Sequence, residues 1–150
     1  MTVRTMMAVL QHEWGDVDNL HVAEVVRPLP LPTEILVRAK AAGINPVDLF
    51  TRAGKAYMRA LHLPHIPEWD VSGVVEAGGY GVTRFKVGDE VFGMPWFPRQ
   101  GGAYAEYACA PARHFALKPS SITHVAAAAL PLAGLTAWHM LWRGGEDNAG

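Results

Sequence analysis

The chain has 150 residues, half of them apolar and 18% charged, with a formal net charge of −1. That length supports one domain with a real core, and the composition excludes a disordered chain. No basic block stands out, so neither nucleic acid nor an anionic membrane surface is an expected partner.

Val3 to Gln11 reads as a first strand. Its apolar part, Met6 to Leu10, is far too short for a signal core or a spanning helix, so a cytoplasmic protein is expected. Gly15 to Asn19 is turn-forming, and Leu20 to Val26 alternates as a half-buried second strand. Pro28, Pro30 and Pro32 forbid regular ladder bonding and make an extended connector. Glu34 to Ala42 is a third strand, with Ile35 and Val37 pointing one way and Leu36 and Arg38 the other. Gly43 permits a change of direction. Asn45 then suits the N-cap of a short helix with Pro46 at its first position and Asp48 in its first turn, ending near Ala53-Gly54.

Residues 55–67 are irregular, and Val71 to Ala77 is a strand. Gly78 to Gly81 makes a tight turn into 82–93, where Gly88-Asp89 turns the chain into another strand. Residues 94–102 form a loop carrying Trp96 and Phe97, and Ala103 to Ala110 and His114 to Leu117 are the last strands. Ser120 or Ser121 can cap a helix through the alanine run 126–129, which Pro131 splits or kinks. Leu132 to Trp142 resumes helical spacing, and Arg143 onward is polar and Gly-rich. With 15 Gly and 11 Pro spread between short strand-like runs, the layout is a loop-rich β-barrel or sandwich.

Few residues read as chemistry on their own. The lone Cys109 sits in a strand-like run and reads as a small buried hydrophobe. His62-x-x-His65 is the only close His pair, with Glu68 as a conceivable third ligand, but it lacks the convergent set that zinc needs, so no metal site is expected. Ser72 precedes Gly73 without the G-x-S-x-G elbow of a hydrolase. Gly78-Gly79-Tyr80-Gly81 fails as a dinucleotide fingerprint, because position 84 is Arg and no helix follows.

Order and spacing are more specific. Ala41 to Asp48, Ile66 to Glu76, Phe85 to Gly93, Gly101 to Tyr107 and Ala126 to Trp138 together resemble the N-terminal, GroES-like half of medium-chain dehydrogenases/reductases. In the zinc-dependent members a Cys stands at position 45 and a His-Glu pair at 69 and 70. Here these positions hold Asn45, Trp69 and Asp70, and the resemblance is to the zinc-independent quinone-oxidoreductase branch. It departs from the family at Glu68, where Gly is usual, and Tyr57 is the nearest counterpart of the tyrosines that often follow the short helix.

The resemblance implies a mainly β, α+β fold: a partly open GroES-like barrel over 1–121, a kinked helix over 122–143 leading toward a Rossmann domain outside these residues, and a polar tail over 144–150. It implies hydride transfer from NADP(H) to a quinone or enone in the full-length parent, with no zinc and no tight cofactor binding by these residues alone. Asn45 would lie at the cleft and contact substrate or nicotinamide ribose, in addition to or instead of capping its helix. Pro46 and Thr136 would contact the cofactor, and Val47, Tyr57 and Trp69 would wall the substrate cleft, with Trp69 filling the space of the metal. Leu132 and Ala133, near the place of a third metal ligand, are apolar. The competing reading is a stand-alone interaction module, whose final helix with Trp138, Leu141 and Trp142 invites a partner or a homo-oligomer. The enoyl reductase of a larger synthase is a third reading.

Overall fold

Proline and glycine set where the strands of this chain stop. In the computed structural model, which describes residues 3–146, strand β1 (Thr5–Gln11) pairs antiparallel with β2 (Leu20–Val26) in unbroken register from Thr5↔Val26 to Gln11↔Leu20. β2 lies more exposed than expected, with Val22 and Val26 facing solvent, because this hairpin stands apart from the main sheet.

The main sheet contains β3 (Glu34–Ala42), β4 (Val71–Gly78), β5 (Glu90–Gly93), β6 (Tyr107–Pro111) and β7 (Phe115–Leu117) in the order β6-β3-β4-β5-β7, antiparallel throughout and curled as a half-barrel. Ile35, Val37, Val71, Val75, Val91 and Phe115 form its core. Two register shifts in β3, at Leu36/Val37 and Ala39/Ala41, bend the strand along β4. Leu36, expected on the face away from Ile35, is buried as well.

Two expected strands are shorter. Residues 82–87 form no ladder, so only Glu90–Gly93 pairs in that stretch. The first half of the strand expected over 103–110 bonds elsewhere: the Ala103 and Tyr104 N–H groups donate to the Glu68 and Pro67 carbonyls, and Glu106 N–H donates to Met7. This segment fastens β1 and the 65–68 loop to the sheet.

Helix α1 (Pro46–Arg52) begins where Gly43 and Asn45 redirect the chain. A side chain at Gly43 would meet the Ala128 carbonyl and Asp70 Cβ, each at 2.8 Å, so only glycine allows this approach. Helix α2 (His124–Ala128) starts later than expected, because residues 119–122 turn on an Ile122 N–H to Pro119 carbonyl bond. Thr123, not Ser120 or Ser121, supplies the cap, its Oγ1 accepting from Ala126 N–H at 3.2 Å. Ala127 and Ala128 are buried against the sheet. Pro131 opens a separate helix α3 (Pro131–Glu146), so the expected split is real and the helix continues past the expected end at 143. Residues 147–150 of the expected polar tail lie outside the described residues.

Candidate active site

The start of α1, the start of β4 and the start of α3 meet at one carboxylate. Asp70, fully buried, accepts from Asn45 Nδ2 at 3.0 Å and from Leu132 N–H at 3.1 and 3.3 Å on its two oxygens. Leu132 N–H is one of the helix donors that no residue within α3 can satisfy, so a carboxylate there suits the geometry and the helix dipole. Burial pushes the Asp70 carboxyl up to about 6, against the hydrogen bonds from Asn45 and Leu132, while nearby Asp48 adds to the rise.

Asp48 fixes the same corner from inside α1. Its Oδ2 accepts the Asn45 backbone N–H at 2.7 Å, so the helix-capping role expected of it holds. Asn45 is therefore held at both ends, its backbone by Asp48 and its side-chain amide by Asp70. Glu68 lies beside them, 2% exposed and with φ at +76°, a conformation that favours glycine. Its Oε1 accepts from Asp70 N–H at 3.0 Å and its carboxyl hydrogen-bonds Asp48. Burial, then the hydrogen bond and charge of Asp48, push Glu68 up to about 9, so Glu68 is protonated at neutral pH.

Above this corner opens a cleft of about 340 Å³ lined by Val47, Tyr57, Met94, Phe97, Leu132, Leu135, Thr136 and His139. Of the residues singled out in the sequence, Val47, Tyr57 and Thr136 meet here. Asn45 and exposed Pro46 precede Val47 at its edge without lining it. Trp69 stands one layer behind. It is buried, packs edge-on against Tyr57 (6.3 Å between centroids) and Phe97 (5.1 Å), and donates its indole N–H to the Arg99 carbonyl. It supports the wall and does not form it. Met94, Phe97, Leu135 and His139 were not singled out in the sequence, although Phe97 stood out in the 94–102 loop; Leu135 and His139 fall one turn apart on the face of α3 that Thr136 shares.

The other candidates resolve differently. His65 is buried against Trp14 at 5.4 Å, and burial lowers its pKa to about 4, so it is neutral. Among the described residues no three His, Cys, Asp or Glu side chains are grouped to hold a metal ion. Cys109 is half-buried and not sealed in the core; its thiol faces Glu34 Oε2 at 3.5 Å and is pushed up to about 12, by burial first and then by the Glu34 charge. Ser72, His124 and Glu90 lie in series, with Ser72 Oγ to His124 Nδ1 at 2.7 Å and His124 Nε2 to Glu90 Oε1 at 3.2 Å. Ser72 is fully buried and donates to the Val91 carbonyl, so the series pins α2 to the sheet and offers no nucleophile. No helix among the described residues is long and apolar enough to cross a membrane.

Known proteins share this fold. The chain is 36% identical to the quinone oxidoreductase of Lama guanicoe over 98% of its own length and 44% of that protein. It is 37% identical to the chloroplastic NADPH-dependent alkenal/one oxidoreductase of Arabidopsis thaliana over 89% of its length and 36% of that protein. The solved quinone oxidoreductase of Coxiella burnetii superposes with a TM-score of 0.88 at 33% identity, over 92% of this chain and 44% of that one. The chain thus spans less than half the length of the curated relatives it matches. The alcohol dehydrogenase GroES-like domain model matches residues 31–120, more than half of the chain, and the chain belongs to that family.

Proposed function

We propose that this chain forms the substrate side of a zinc-independent, NADPH-dependent quinone or enone reductase, with its domain boundary near residue 121. The observation that carries the reading is the apolar cleft of Val47, Tyr57, Phe97 and Leu132 set over an amide, Asn45, that is fixed at both ends. The names of the relatives, quinone oxidoreductase and NADPH-dependent alkenal/one oxidoreductase, support the substrate class and the cofactor. Asn45, Trp69 and Asp70 support the zinc-independent branch. Asn45 and the indole are poor zinc ligands, and both oxygens of Asp70 are engaged by Leu132 N–H and one also by Asn45.

The donor set fits a nicotinamide at the open side of the cleft, where Thr136 and His139 are polar lining groups, the Asn45 amide stands at the edge, and the remaining lining is largely apolar. The bound reduced cofactor supplies the hydride. This chain supplies position and dryness: Tyr57, Phe97 and Leu132 exclude water and orient a flat electrophile, and Asn45, neutral at every working pH, offers its free amide hydrogen to the acceptor oxygen. The reading also accounts for the exposed Trp138, Met140, Leu141 and Trp142 of α3, with the two indoles stacked at 5.5 Å, as a face covered by the remainder of a longer enzyme.

The test is steady-state NADPH oxidation by the intact protein with a quinone, a 2-alkenal and, in the reverse direction, a primary alcohol, each with and without chelator. Quinone or alkenal reduction that is indifferent to chelation, and that falls at least tenfold in Asn45→Ala, is expected. Stoichiometric zinc in the active protein, or alcohol oxidation as the dominant activity, would overturn the reading.

A further inference from the structure

Away from the cleft, six buried polar atoms have no partner in the protein among the described residues: Gln11 Oε1, Asp48 Oδ1, Thr51 Oγ1, Arg52 Nε, His65 Nδ1 and Glu68 Oε2. All six residues line one cavity of about 10 Å³. Buried polar groups are almost always bonded, and six orphans on one wall is not the signature of chance packing. The side chains of Gln11, Thr51, His65, Asp48 and Glu68 are each more than nine-tenths buried.

The chemistry of the six atoms sorts them. Counting the proton that Glu68 carries pairs its carboxyl with Asp48 and removes these two atoms from the set. Four atoms then remain. The Gln11 amide nitrogen donates to the Glu13 and Arg52 carbonyls at 2.7 and 2.8 Å, which assigns Oε1 as a pure acceptor facing the cavity. His65 is neutral, and with its proton on Nε2 its Nδ1 is a second acceptor. Arg52 Nε–H is a donor, and the Thr51 hydroxyl can serve as another. Two acceptors and two donors form the complement of one water molecule, and 10 Å³ is about the smallest space that admits one.

We propose that this cavity is a built hydration site for a single water, donating to Gln11 Oε1 and His65 Nδ1 and accepting from Thr51 Oγ1–H and Arg52 Nε–H. The site joins the end of β1, the last turn of α1 and the 65–68 loop. It lies behind Asp48, whose other oxygen holds Asn45. Its role is to position α1, and it holds whether or not the cleft reduces quinones.

The experiment uses the intact protein that carries these residues. A high-resolution crystal structure should show one water peak within hydrogen-bond distance of all four atoms, and water-selective NMR should show cross-relaxation to the Thr51 and His65 side chains. Thr51→Val and His65→Phe test it energetically, since one water bonded to both residues couples them. The double variant should lower the urea midpoint by clearly less than the sum of the two single shifts, because the water is lost once. A dry cavity or additive midpoint shifts would overturn the proposal. If the variants do not fold, the density and cross-relaxation of the unaltered protein decide alone.

Discussion

Glu68 gives the sharpest prediction. Its folded value of about 9 lies far above the value near 4.5 of an exposed glutamate. Between those values the folded chain keeps a proton that the unfolded chain releases, so stability is full below about pH 4.5 and is lost as pH rises toward 9. Other groups complicate the acid side. Asp70, raised to about 6, adds a loss between about pH 4 and 6, and His65, lowered to about 4, opposes it with a gain up to about 6.5. From pH 6.5 to 8.5 Glu68 is the one shifted group whose proton is kept in the folded chain and lost in the unfolded one, so the window should cost on the order of 3 kcal/mol of unfolding free energy. Glu68→Gln removes the titration while keeping the essential bonds: the amide oxygen accepts from Asp70 N–H and the amide nitrogen donates to Asp48. The variant should be flat across the window and, near pH 7, up to about 3 kcal/mol more stable than the parent. Urea unfolding at three pH values, followed by tryptophan fluorescence, measures both. A parent whose stability is constant or rises between pH 6.5 and 8.5, or a Glu68→Gln slope equal to the parent's, would refute a neutral Glu68 bound to Asp48.

Two further outcomes follow from the same corner. Asp70→Ala should cost about 2–4 kcal/mol, since it leaves Asn45 Nδ2 and Leu132 N–H without their acceptor in a buried place, and amide exchange at Leu132 should quicken at least tenfold while β3 amides keep their protection. Trp69→Ala should cost about 3–5 kcal/mol by urea unfolding and raise KM for an aromatic quinone, because Tyr57 and Phe97 lose the ring behind them; Trp69→Phe should recover most of both.

Much of the fold was legible because punctuation is local. The Gly15–Asn19 turn and Pro28 bracket β2, and Pro32 and Gly43 bracket β3, so the expected strands 20–26 and 34–42 match the observed ones. Asn45-Pro46 names the start of α1 for the same reason. What failed depends on partners distant in sequence. Ala103 to Glu106 has strand composition, yet its amides go to Pro67, Glu68 and Met7, which no nearby residue announces. The cleft was half legible: Val47, Tyr57 and Thr136 came from the resemblance, while Met94, Phe97, Leu135 and His139 become wall only once α3 crosses the 94–102 loop. Trp69, expected in the cleft wall, stands behind Tyr57 and Phe97, because the fold of the 94–102 loop decides which ring faces the opening. Glu68 registered as a departure from glycine and a conceivable metal ligand, not as a neutral acid, since a carboxyl turns neutral through burial beside Asp48, and burial is not written in a turn.

The corner can be understood as one solution to a general problem. The end of β3 and the starts of α1, β4 and α3 must be tied together if a cleft is to keep its shape. Asp70 makes this junction with hydrogen bonds to Asn45 and Leu132, and buried Trp69 packs beside it. The arrangement has an electrostatic consequence. A carboxylate buried at this point needs hydrogen-bond donors, and the Glu68 proton removes one of the three negative charges gathered here, so only the repulsion between Asp48 and Asp70 remains. The left-handed backbone at Glu68, tolerated where glycine would be relaxed, is thus explained by the carboxyl it delivers to Asp48 and to the Asp70 amide.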